Sequence, residues 1–502
     1  MNRFFARNLR AMVLILAPLF LQFPAMGSET IVPAGCDAPP SSSDGRSFYI
    51  DPVHGSMAND GSAQRPWSRF ADVVAQSSHL ISSRAYSKNP AGALDLLPVN
   101  PEGPVKPGDT LVLMSGDHGE VDLSQYQNEK FIFVVAGENQ TPIIRAMRVL
   151  SSTHWVFKGI KFQDARRENS PFGLTVLLSA KEAFLGPGGN IVFQSNSFST
   201  QDNASNWTSA DWVNKPYALT FQTNIRCTTL VGNHFYNVRN AVQMGGNDGL
   251  AMDNLLEDFG NDAFDITASN LTIRHNTIRS GHHGSDEPLH ADGIQGWTYK
   301  NVTNRNVVID SNVVINLNRA NDNYMQGISI FDGSWDGVYI TNNVVITNTW
   351  HGITLYGVKN AKIINNTVLP ARPQNAMTWI NVHAGKDNTP ATNVVVRNNI
   401  AGGIMAAGSN ITVDHNIALG GISISKSPRG DSPFDGVAAS LNLDKVPPNA
   451  LFKDFDMSVP SFDLRLSPNS LARKTGSEED APAIDVEGRP RIPPMDIGAY
   501  AR

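Results

Sequence analysis

Three times in succession the chain sets a different reactive residue before the same Gly-Ile pair: Asp292-Gly293-Ile294, Gln326-Gly327-Ile328 and His351-Gly352-Ile353. A carboxylate can orient a histidine, hold a cation or exchange a proton, and an imidazole titrates near neutral pH. His290 adds a second imidazole two residues before Asp292. One residue past each isoleucine stand Gln295, Ser329 and Thr354, and three residues past stand Trp297, Phe331 and Tyr356. A fourth context, Met377-Thr378-Trp379-Ile380, continues with Asn381 and His383. Acid/base groups beside amides and a strip of rings suit proton transfer on a ligand with polar and apolar faces. The plainer alternative for the rings is stacking beneath a covering loop.

The elements that must position these residues are written in a repeat. Asn190/Asn196, Asn270/Asn276, Asn306/Asn312, Asn360/Asn366, Asn393/Asn399 and Asn410/Asn416 each enclose five residues with apolar side chains at alternate positions. Gly337 to Asn343 is a variant copy, and looser copies end at Asn233 and Asn254. Each enclosed stretch reads as a short strand. The closing Asn suits a sharp turn, because its side chain tolerates left-handed backbone angles. One strand-turn unit repeated with irregular insertions predicts a solenoid whose stacked coils bury one core. The expected class is all-β, a single-stranded parallel β-helix.

Stacking predicts neighbours. Val242, Ile266, Ile294, Ile328, Ile353 and Ile380 are aligned as inward anchors, one strand spacing of ~4.8 Å apart. Two residues earlier the predicted outward column reads Asn240, Phe264, Asp292, Gln326, His351, Thr378. Three residues later the outward column ends in a ring ladder of Trp297, Phe331, Tyr356 and His383. Asp292 and His351, two coils apart, are expected roughly 10 Å from each other along the axis. The insertion from Ser280 to His290 should overhang this face. Its Asp286 and Glu287 are weak candidates for holding a divalent cation such as calcium, in a spacing that matches no strong metal motif.

Arg3, Arg7 and Arg10 before the apolar run Ala11–Phe23, with small residues at Ala25 and Gly27, read as a signal peptide over residues 1–27. Its removal takes three positive charges from a chain whose formal net charge is already −6. An acidic product makes nucleic acid an unfavourable partner. No second long apolar run follows, so a secreted or periplasmic protein without membrane attachment, acting as a monomer, is expected. Residues 28–46 read as a flexible leader and 47–104 as an N-terminal strand, helix and loop that cap the first coil. Coils are expected over 105–425, and residues 426–502 as a tail packing on the coils or capping them. Export permits a disulfide between Cys36 and Cys227, but nothing in their placement argues for one.

Tyr49-Ile50-Asp51-Pro52, Asp60-Gly61-Ser62, Arg65-Pro66-Trp67, Lys106-Pro107-Gly108-Asp109, the Asn repeats and Asp496-Ile497-Gly498-Ala499-Tyr500 together resemble one family. It is that of secreted bacterial right-handed parallel β-helix proteins of the pectate-lyase-like superfamily. The resemblance implies handedness and architecture over residues 47–502; the superfamily's activities are diverse. The Asp292, Gln326 and His351 contexts are similar to the catalytic face of polygalacturonase-type hydrolases. There an Asn-Thr-Asp, an Asp-Asp and a Gly-His-Gly motif follow on successive coils. Met325-Gln326 stands where paired carboxylates belong, which leaves inverting hydrolysis to Asp322, Asp332 or a loop carboxylate.

β-Elimination from a uronic-acid polysaccharide needs other parts. A base, His351 or His290, takes the C5 proton, and Tyr356 donates one to the leaving oxygen. Gln295, Gln326 and Asn381 engage the carboxylate, and Asp292 orients a histidine or holds a cation. Trp297, Phe331 and His383 would contact sugar faces, with Arg319, Lys359 and Arg372 as cationic reserves. Three readings stay open: a polysaccharide lyase, a glycoside hydrolase with rearranged carboxylates, and a non-catalytic carbohydrate-binding or scaffold protein.

Overall fold

The computed structural model describes residues 33–502 apart from residues 34, 164–173, 179–185, 223, 283–289, 318–323, 372–377, 425–436 and 456–461. Alternating short strands and turns wind the chain into a parallel β-helix. One parallel sheet runs from Ser47–Ile50 through Thr303–Asp310 and Ser334–Thr341 to Val437–Ser440. The second collects two strands from each coil, for example Val313–Ile315 and Met325–Ile330. Strand alternation sends one side chain of each pair inward. Ile273, Ile309, Ile340, Ile363, Val396 and Val413 are consecutive partners in register and fully buried. Toward the N-terminal end the core turns aromatic, with Phe162, Phe198 and Phe235 stacked at 4.7 and 4.6 Å between centroids.

The two asparagines of each repeat do different work. The closing ones form a buried ladder from Asn196 to Asn416, which the half-buried Asn442 extends by one rung. In it each backbone N–H donates to the side-chain oxygen of the next rung at 2.9–3.0 Å. The sharp turn lies one residue earlier than expected. Left-handed angles fall on the residue before the ladder, such as Ser311, Asn342, Asn365 and Asn398, and on the opening Asn270, Asn306, Asn360 and Asn393. The closing Asn is selected for its amide, which satisfies turn groups that would otherwise be buried unpaired.

At the N-terminal end the helix Phe70–Val74 buries Phe70, Val73 and Val74. His118 holds it, accepting from Phe70 N at 3.3 Å and donating to Met114 O at 2.8 Å. Residues 78–104 are not simply loop, because Ser83–Lys88 and Leu94–Val99 pair as an antiparallel hairpin. The described leader residues are fastened rather than free. Cys36 is disulfide-bonded to Cys227, and Asp37 bonds His154 at 2.9 Å and Asn190 at 3.1 Å. The tail returns along the left-handed turn residues: Asn342 donates to Ile484 O, Asn365 to Asp496 O, and Asn398 to Ser477 O.

Candidate functional site

The candidate residues lie on the second strand that each coil contributes to the second sheet: Asp262–Ile266, Ala291–Gly296, Met325–Ile330, His351–Tyr356 and Trp379–His383. Register pairs Asp292 with Gln326, Ile294 with Ile328 and Ile328 with Ile353, as the Gly-Ile contexts predict. One coil earlier the alignment slips by two. Ile294 pairs with Phe264, not Ile266, and Ile266 lies opposite Gly296. A Cβ on Gly296 would sit 3.3 Å from Ile266 and 3.0 Å from Ile330, so the glycine leaves the space that Ile266 fills. A shift of two preserves inward parity, so alternation could not reveal it. At the other end a bulge between His351 and Ile353 places Trp379, not Thr378, beside His351. Thr378 is buried and donates to Thr349 O.

The corrected register brings in two carboxylates that the sequence reading missed. Asp262 pairs with Asp292 and Asp265 with Gln295. Asn240 Nδ2 donates to Asp262 and to Asp265, both at 3.0 Å, and Asp262 Oδ1 accepts the backbone N–H of Asp292 at 2.9 Å. The signal was a shared spacing. Asp262/Asp265 repeats the three-residue step of Gln326/Ser329 and His351/Thr354, whose side chains bond each other at 3.2 Å.

All three carboxylates are buried, Asp292 at 0%, Asp262 at 2% and Asp265 at 5% exposure, so none faces outward as expected of Asp292. Burial, with repulsion from Asp265 and then Asp292, pushes Asp262 well above the usual carboxylate range. Burial and the nearby Asp292 raise Asp265 as well. Asp292 Oδ1 has no hydrogen-bond partner among the described residues. Its Oδ2 takes a 2.6 Å bond from His290 Nδ1. That bond is the main reason the His290 pKa lies above the ordinary histidine value. His351 is shifted the other way, because burial disfavours its charged form. The two imidazoles sense each other's charge and border the same Phe331 ring, with centroids 6.4 and 5.0 Å away.

Phe331 is a buried floor rather than an exposed rung. Tyr356 packs 5.1 Å from it and His383 5.8 Å from Tyr356. Trp297 pairs instead with Tyr299 at 5.1 Å. Gln295 and Gln326 are half-buried and Asn381 is buried. Asp332 is engaged by Lys386 at 2.7 Å, and Lys359 belongs to the other sheet. Asp286, Glu287, Asp322, Arg319 and Arg372 lie outside the described residues. Among the described residues no group of three or more His, Cys, Asp or Glu is arranged to hold a metal ion, and no helix is long and apolar enough to cross a membrane.

A sequence family described as a right handed beta helix region matches residues 218–368. No curated protein sequence matches the chain. Among solved structures, XylC in complex with xylose aligns with a TM-score of 0.50 at 9% identity, covering 91% of this chain and 98% of that one. Pectate lyase Pel9A aligns at 0.49 and 14% identity, covering 92% and 98%. A GH136 lacto-N-biosidase from Eubacterium ramulus aligns at 0.46 and 12%, covering 80% and 68%. Similarity at such identities is similarity of fold, and the fold is a right-handed parallel β-helix.

Proposed function

We propose that this right-handed parallel β-helix is an exported carbohydrate-active enzyme that cleaves an acidic polysaccharide by β-elimination. The observation that carries the reading is the pair of imidazoles at Phe331, pushed in opposite directions by their surroundings. Titrating partners driven apart in this way suit a neutral base and a charged stabiliser present together at one pH. The accessibility of His290 supports it too, since its side chain is 46% exposed while its partner Asp292 is fully buried.

His351 is the base. In the tautomer that donates Nδ1–H to Thr354 Oγ1, 3.2 Å away, its lone pair is at Nε2, free to take the C5 proton of a uronic acid. The C5–H electrons form the C4–C5 double bond, the C4–O4 bond breaks, and the leaving oxygen takes a proton from Tyr356. Charge that develops on the substrate carboxylate is met by the His290 imidazolium, which Asp292 keeps protonated and oriented. Gln326 and Asn381 supply amide donors. Export fits the Cys36–Cys227 disulfide, which persists in oxidising compartments.

The raised Asp262 and Asp265 favour a second reading, hydrolysis with one carboxyl as acid and another as base. Their burial beneath the coil surface weighs against contact with a glycosidic oxygen. Digestion of a uronic-acid polysaccharide panel separates the two. Elimination gives ultraviolet absorbance from the unsaturated end, and hydrolysis gives new reducing ends without it. Neither signal across the panel would refute both enzymatic readings.

A further inference from the structure

We infer that Trp350 and Trp379 form a sugar-binding subsite that stacks one pyranose ring of a polysaccharide beside His351, an inference that rests on reading the His351 face as a carbohydrate site. Trp350 is 57% exposed, the most exposed aromatic residue among the described residues. Its ring lies 6.0 Å from that of Trp379, tilted by 35°, and Trp379 stands edge-on to His351 at 5.3 Å. The pair therefore extends the ring chain of His351, Phe331 and Tyr356 outward from the proposed reaction centre.

The backbone builds this platform. The Trp350 carbonyl accepts from Trp379 N at 2.8 Å and from Gly352 N at 3.1 Å, tying the two tryptophans across adjacent coils. The bulge between His351 and Ile353 turns Trp379 toward the histidine, and bulges next to functional sites commonly re-aim a side chain. Gly352 permits the approach, since a Cβ there would come 2.3 Å from Val368 Cγ1 and 2.9 Å from the Trp379 carbonyl. A core would bury so large an apolar ring. Here the bend that leads into the His351–Tyr356 strand holds it out, one residue before the base. The occupant that fits is a sugar ring, whose C–H face packs on indole while its hydroxyls stay hydrated. The tryptophans read the apolar face, and the histidines and amides read charge.

The test is affinity electrophoresis of the full chain in gels containing pectin, homogalacturonan, alginate or a glycosaminoglycan, with cleavage measured in parallel. Wild type and His351→Gln should be retarded by the same polysaccharide. Trp350→Ala should weaken retardation about fivefold, the scale of one aromatic stacking contact. Trp350→Phe should recover part of it, with melting temperatures unchanged. Retardation without cleavage would sink the elimination reading and keep the subsite. Cleavage with Trp350→Ala and Trp379→Ala both binding as wild type would do the reverse. No retardation by any polysaccharide overturns the subsite. So does a concentration-dependent dimer that Trp350→Ala abolishes, which would make the patch an interface between copies.

Discussion

Replacing Asp292 by Asn tests the histidine pair without dismantling it. The amide oxygen still accepts the His290 Nδ1–H, now bonded at 2.6 Å, and the backbone N–H still reaches Asp262. What disappears is the charge. Unit charges about 4 Å apart interact by about 4 kcal/mol at an effective dielectric near 20. His290 is 46% exposed in its side chain, and solvent screening cuts this to about 1 kcal/mol or less. Activity should rise with pH as His351 loses its proton, below the ordinary histidine value, and fall as His290 loses its own, above it. Asp292→Asn should move the alkaline limb down and the acidic limb down by less, because the Asp292 charge bonds His290 directly and also raises His351. Carbon-13 histidine NMR, assigned with His290→Gln, reads the same shift without substrate. An unmoved His290 resonance midpoint in the variant would refute the electrostatic reasoning, whatever the activity.

Asn312→Ala should cost about 3–5 kcal/mol in urea unfolding. Its side chain accepts from Asn276 N and Nδ2 and donates to Ile273 O and Asn343 Oδ1, and each buried group left unpaired costs about 1–3 kcal/mol. A loss below about 1 kcal/mol would mean the ladder is replaceable by solvent. Cys227→Ser should lower stability by up to about 5 kcal/mol, the chain-entropy value for a loop closed across 191 residues; an unchanged urea midpoint would show that the leader's other bonds suffice. Stability should also fall in mild acid through His118, which burial holds below the ordinary histidine pKa. An unfolded chain takes up this proton near pH 6.5 while the folded one resists it, so stability present above that value drains away as pH falls toward the folded pKa. His118→Asn should flatten that dependence.

Much of this architecture was legible because the Asn-x5-Asn spacing and strand alternation point the same way. The Gly-Ile contexts put Asp292, Gln326 and His351 in true register for the same reason. Phe264 and Ile266 are both inward and both apolar, so only the space over Gly296 decides which faces Ile294, and that space is a property of packing. Asp262 and Asp265 were hidden by this slip. The Trp350 and Trp379 platform depends on a bulge, an unpaired residue that no periodicity announces. The leader is held by Cys227 and by His154 and Asn190 on other coils, contacts between residues far apart in sequence.

The most direct test of the central claim is the product formed from an acidic polysaccharide by wild type and by His351→Gln, followed by ultraviolet absorbance and mass spectrometry. Wild type should give fragments with an unsaturated, dehydrated non-reducing end, and the variant should lose at least about a hundredfold in rate, the lower range for removing a general base. Saturated fragments that have gained water, or full elimination activity in His351→Gln, would contradict that claim.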